Sequence, residues 1–148
     1  MVQQVIEHTA TADADPAAVF RLLGDGSTWP DWSPLGSFEL LEAGDDSPEG
    51  VGAVRLFTTG RVRSRERVVE SRPDEVFSYV LEKGLAVRDY RAVITLRRSG
   101  PGATTIHWRS TFHAKVPGTG GLYRRQLGKF IKQTVDGLAL AAARTPLR

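Results

Sequence analysis

The chain contains no cysteine. That absence excludes disulfide frameworks, thiolate zinc centres and cysteine nucleophiles, and it suits a reducing compartment. Long apolar runs are missing as well: no stretch approaches the ~18 apolar residues of a membrane span, and Met1 to His8 has no apolar signal core. A cytoplasmic protein without membrane insertion is therefore expected. The excess of one charge is small, since 20 Lys and Arg against 17 Asp and Glu leave a net charge of +3. A balance of that size chiefly keeps a protein soluble. With 148 residues and 41% hydrophobic content, one domain over 1–148 is expected, able to bury about 68–70% of its unfolded surface without a metal or disulfide staple.

Catalytic signatures are also scarce. There is no Gly-Xaa-Ser-Xaa-Gly nucleophile elbow. The glycines Gly118, Gly120 and Gly121 lack the third position of a dinucleotide fingerprint and the Gly-Lys-Ser/Thr of a phosphate loop, and read as a hinge. His107 and His113 share a strand face but stand about 20 Å apart along it. Neither a metal nor a cofactor is expected.

What is present begins with one long helix, predicted over Thr119 to Ala143. Leu127, Phe130, Ile131, Thr134, Leu138 and Ala141 recur at three- and four-residue steps and share one face. Almost everything before it reads as strand. Val2 to Ala12 turns Ile6, His8, Ala10 and Ala12 inward. A short helix follows, with Asp15 as N-cap, Pro16 at its first position and Gly24 as its stop. Trp29 and Trp32 then sit between prolines on a helical turn that points both indoles one way, either lining a pocket mouth or sealing one end of the core.

Phe38 to Leu41 is a short strand, and Glu42 to Gly50 is an acidic surface loop by its turn residues. Val51 to Thr58 and Arg61 to Ser71 form a hairpin around Thr59-Gly60, which sets Phe57 opposite Val62 and Arg55 opposite Ser64, with Glu66 diagonal to Arg55. Arg72 to Glu75 is a type I turn that brings Phe77, Tyr79 and Leu81 against Val68 and Glu70 on the inner face. The last two strands, Val87 to Arg97 and Thr104 to Val116, place Tyr90 opposite Phe112, Ala92 opposite Ser110 and Ile94 opposite Trp108.

The outer side of the fourth strand presents Arg61, Arg63, Arg65 and Arg67 in a row about 20 Å long, enough to follow several phosphates. With no aromatic platform, helix-turn-helix or zinc finger beside it, a solvated face is expected rather than a nucleic-acid site. The inner face carries a small polar set among aromatics: His8, Arg55, Glu66, Tyr79, Tyr90 and Thr134. Arg55 and Glu66 are expected to pair, as a structural bridge or as ligand contacts. His8 reads either as a general acid or base or as a satisfied rim residue.

The order strand, two short helices, six strands, long helix resembles the helix-grip fold of START domains, birch-pollen-type allergens and the polyketide cyclase/dehydrase family. The resemblance spans nearly the whole chain. It is carried by Ala14 to Phe20, Trp29-Pro30-Asp31-Trp32, Arg65 to Glu70, Val87 to Ala92, Thr104 to Trp108 and Gly118 to Arg125. It implies an α+β domain in which a curved antiparallel sheet of about seven strands wraps a long C-terminal helix. It further implies a small hydrophobic partner, lipid- or polyketide-like, held between sheet and helix by a monomer or homodimer. Expected walls are Trp29 from the Pro-rich turn, Phe57, Tyr79, Tyr90, Trp108 and Phe112 from the sheet, and Leu127, Phe130 and Ile131 from the helix. The small residues Ala10, Ala12, Ala53, Ala92 and Gly137 are expected to leave the space. Two other readings stay open: an aromatase/cyclase or dehydrase-type enzyme using the same cavity, and a module whose basic face docks an acidic partner.

Overall fold

The computed structural model describes residues 2–144. The elements run β1 (Gln4–Ala12), α1 (Pro16–Leu23), α2 (Trp29–Trp32), β2 (Ser37–Glu42), β3 (Val54–Thr59), β4 (Val62–Arg72), β5 (Val76–Lys83), β6 (Val87–Gly100), β7 (Ala103–Ala114) and α3 (Gly120–Arg144), with a 3-10 turn at Gly26–Thr28. All neighbouring strands pair antiparallel in one sheet of order β1-β7-β6-β5-β4-β3-β2. This is the helix-grip arrangement, with α3 laid across β1 and β7 and the short helices α1 and α2 packed against it. No helix among the described residues is long and apolar enough to cross a membrane.

Alternation explains the sheet. On β7, Thr104, Ile106, Trp108, Ser110 and Phe112 are buried while their neighbours are more exposed. The pairings Ala92 with Ser110 and Ile94 with Trp108 form as the spacing predicts. On α3 the fully buried stripe is Ile131, Thr134, Val135, Leu138, Ala139 and Ala142. Leu127 and Phe130, one to two turns earlier, are only half-buried. The helix therefore grips the sheet chiefly by its C-terminal half. Its N-terminal half roofs a space.

The β3–β4 hairpin closes one step later than the sequence suggests. Thr59 pairs with Val62, Phe57 with Ser64 and Arg55 directly with Glu66. The two loop residues are thus Gly60 and Arg61, and Gly60 takes φ 59°, a left-handed conformation that glycine adopts without a Cβ penalty. A bulge between Val68 and Glu70 turns Glu70 to the outer face, where its carboxylate meets Arg72 and Arg91. The turn after β4 has Asp74 at φ 64°, the positive φ that the third position of a type II turn requires, rather than the type I geometry expected. Asp15 does stand at the N-cap of α1, but its side chain makes no cap bond. It pairs instead with Arg98 at 2.7 Å.

The outer arginine row divides in two. Arg65 and Arg67 share Glu82 and Glu42 in an ion-pair network, and those bonds hold the Glu82 carboxyl below its ordinary pKa. Arg61 and Arg63, at the hairpin tip, are exposed.

Candidate functional site

The site is built around Arg55, which β3 carries into the core with no exposed surface. Its Nη2 donates to Glu66 Oε1 at 2.8 Å, directly across the hairpin. Its Nη1 donates to the Leu23 carbonyl at 3.0 Å and to Glu49 Oε1 at 3.3 Å. Aromatic faces complete the cage: Arg55 Cζ lies 4.8 Å from the Trp29 ring, 4.9 Å from Phe77 and 5.3 Å from Phe57. A buried cation survives only when paired in this way. Glu49 was not expected here. It comes from the loop that composition marks as surface, yet its carboxylate also accepts from the Gly26 amide at 2.7 Å, tying the loop to the 3-10 turn.

Glu66 forms part of the wall of a chamber of about 50 Å³, together with Trp29, Phe57, Tyr79, Tyr90, Leu127 and Phe130. Leu35, Ser64, Leu81 and Leu85 complete it. An outer vestibule of about 260 Å³ adjoins it, sharing Leu35, Ser64, Leu85, Leu127 and Phe130 and adding Pro34, Thr59, Val62, Tyr123 and Gln126. The chamber wall is mostly apolar, with Glu66, Tyr79 and Tyr90 as its titratable groups. Burial raises the Glu66 carboxyl above its ordinary pKa, partly offset by the Arg55 charge and hydrogen bond. Burial also pushes the Tyr90 phenol up to about 12 and the Tyr79 phenol well above its ordinary value. Both phenols keep their protons at neutral pH. Tyr90 Oη lies 2.9 Å from Ser110 Oγ.

Several expected wall residues lie elsewhere, each for a physical reason. Trp108, Phe112 and Ile131 are packed core, with the Trp108 ring 5.9 Å from Trp29 and 6.4 Å from Tyr79 and thus behind the wall those rings form. Thr134 is fully buried and spends its hydroxyl on the Phe130 carbonyl at 2.8 Å. His8 Nε2 meets the Gly128 carbonyl at 3.0 Å, a tether between β1 and α3. Arg55 sits behind Glu66 and does not reach the chamber.

The small residues do not open the space either. Ala12, Ala53 and Ala92 are buried in packed core, and Gly137 lets α3 touch the Trp32 carbonyl. Close packing is what they serve. Ala92→Leu is accordingly expected to overpack the sheet and lower stability by about 1–2 kcal/mol, read by urea denaturation. An unchanged midpoint would mean that room exists beside Ala92 after all.

Fold and pocket together define a START-like helix-grip domain. A START superfamily protein from Mycobacterium smegmatis superposes with a TM-score of 0.82 at 13% identity, covering 95% of this chain and 97% of that one. A Thermobifida fusca protein matches at TM-score 0.78 and 23% identity over 95% and 93% of the two chains. Norcoclaurine synthase from Thalictrum flavum, solved with dopamine and hydroxybenzaldehyde, matches at 0.77 and 16% over 99% and 90%. No curated protein matches the sequence. The family model described as polyketide cyclase / dehydrase and lipid transport matches residues 3–143, and the chain belongs to that family.

Proposed function

We propose that the protein binds a small hydrophobic molecule, lipid- or polyketide-like, in the chamber and vestibule between the sheet and the N-terminal half of α3. The observation that carries this reading is a mostly apolar chamber with a few polar groups, Glu66, Tyr79 and Tyr90, in its wall and Ser64 where it meets the vestibule. Apolar walls supply affinity and a few fixed polar groups supply orientation. Trp29, Phe57, Leu127 and Phe130 contact the body of the ligand, and Glu66, Tyr79 and Tyr90 meet its polar end.

One test fills the chamber from the roof. Leu127→Trp places a larger side chain at a half-buried position facing open space, so stability changes by less than about 1 kcal/mol. Binding of an apolar fluorescent probe should be lost. Undiminished probe binding by this variant, or none by the parent, would place the ligand elsewhere.

A second reading is favoured by Glu66, a carboxyl with a raised pKa beside two phenols, a set able to take and return a proton. Native mass spectrometry of protein purified from its own host separates the two. A retained molecule whose mass stays constant on prolonged incubation supports a carrier. Conversion to a product, abolished in Glu66→Gln while the molecule still binds, supports an enzyme of the cyclase or dehydrase kind.

A further inference from the structure

The vestibule opens among four segments: 33–36, the β3–β4 hairpin tip 59–64, the β5–β6 turn 83–86 and the start of α3 with its approach, 119–130. These segments contain Arg61, Arg63, Lys83, Arg124, Arg125 and Lys129 and not one Asp or Glu. The modest excess of positive charge on the whole chain is therefore concentrated at the mouth, and the remainder is acidic on balance. All six cations are exposed. Among the described residues none of them forms an ion pair, in contrast to Arg65, Arg67 and Lys132 close by. Glu42 and Glu82, on the same sheet, are occupied by Arg65 and Arg67.

Apolar side chains are exposed on the same segments. Val62, between Arg61 and Arg63, is 42% exposed, and Leu122, just before Arg124 and Arg125, is 56% exposed. We propose that this face is a docking surface for an anionic lipid bilayer. Such a surface offers phosphates to the six cations and an apolar interior to Val62 and Leu122 at the same time. A nucleic-acid backbone satisfies the charges but offers no apolar interior to Val62 and Leu122. Because the segments that carry the cations also line the vestibule, docking through them brings the opening to the bilayer.

The surface is tested by vesicle binding, which reads docking whether or not the chamber holds a ligand. Cosedimentation with phosphatidylcholine vesicles in which about a third of the lipid is phosphatidylglycerol should retain the protein at low salt, and pure phosphatidylcholine should not. High salt should release it, because screening shortens the reach of these charges. Each cation removed near an anionic leaflet weakens binding about fivefold. Arg61→Glu/Arg63→Glu and Arg124→Glu/Arg125→Glu should thus each weaken it by about 25-fold or more. Arg97→Glu, an exposed cation on β6 remote from the mouth, should change it less than about twofold. Leu122→Ser should weaken it several-fold with no change in charge. Each variant is compared at parental circular dichroism. No binding to anionic vesicles, equal loss in Arg97→Glu, or retention on polyglutamate or DNA without vesicle binding would overturn the proposal, the last assigning the cations to an acidic macromolecule.

Discussion

Arg55→Leu should unfold about 3–5 kcal/mol more easily than the parent, because it strands the buried Glu66 carboxylate without its counter-charge. For a domain of this size that is a fall in melting temperature on the order of 10 °C. The loss should depend on pH with a defined sign. In the parent, burial already holds the Glu66 pKa above its unfolded value, so this group's contribution is fully present below the unfolded pKa and is lost as pH rises through the raised one. Removing Arg55 takes away the charge and hydrogen bond that oppose burial, which raises the folded pKa further. The deficit should therefore be smallest near pH 5 and grow toward pH 8. The double variant Arg55→Leu/Glu66→Leu should recover much of the stability, since no charge is left stranded. Urea denaturation of the three proteins at both pH values measures this. A small, pH-independent deficit would mean that the cage is hydrated and the pair weak.

Two glycines of α3 should respond to alanine with opposite signs. In a helix interior Gly→Ala normally gains up to about 1 kcal/mol. Gly128 has that freedom: a new Cβ would find Ile6 Cγ2 no nearer than 4.0 Å, and Gly128→Ala should stabilise by about 0.5–1 kcal/mol. At Gly137 the same methyl would collide with the backbone carbonyl of Trp32, which no rotamer change can relieve. Gly137→Ala should push α2 off α3 and cost about 3 kcal/mol. Thermal unfolding of the pair reads the difference, and shifts of the same sign would end the argument.

Periodicity made the architecture legible. The inner residues of β1 and β7 and the turn carrying Trp29 and Trp32 follow from spacing alone, because burial on one face imposes a period of two on strands and 3.6 on helices. The Arg55–Glu66 pair was legible too, although its register was not, since Thr59-Gly60 and Gly60-Arg61 are equally good two-residue loops on paper. The structure selects the one that puts glycine at the positive φ of the first loop position. Glu49 escaped because its Pro-, Asp- and Gly-rich surroundings signal solvent. Nothing local says that a loop carboxylate will answer a buried guanidinium; an unpaired second fork on Arg55 was the available signal. Leu35 and Leu85 escaped for a related reason. They enter the chamber from connections, where alternation has no meaning. Alternation also cannot tell which end of an inner face is packed and which is hollow, so Trp108 and Ile131 looked as eligible as Tyr79 and Leu127.

The pairing of β1 with β7 bears on how the chain reaches this state. His8 finds its partner at Trp108, a hundred positions further on, and the other neighbour of β1 is α3, the last element of all. During synthesis the first strand emerges with one edge and one face unsatisfied and stays so until the ribosome has delivered nearly everything else. Such distant closure is slow compared with the assembly of a helical bundle. The hairpins β3–β4, β5–β6 and β6–β7 can form from local contacts, whereas β1 has no strand partner until β7 has been made.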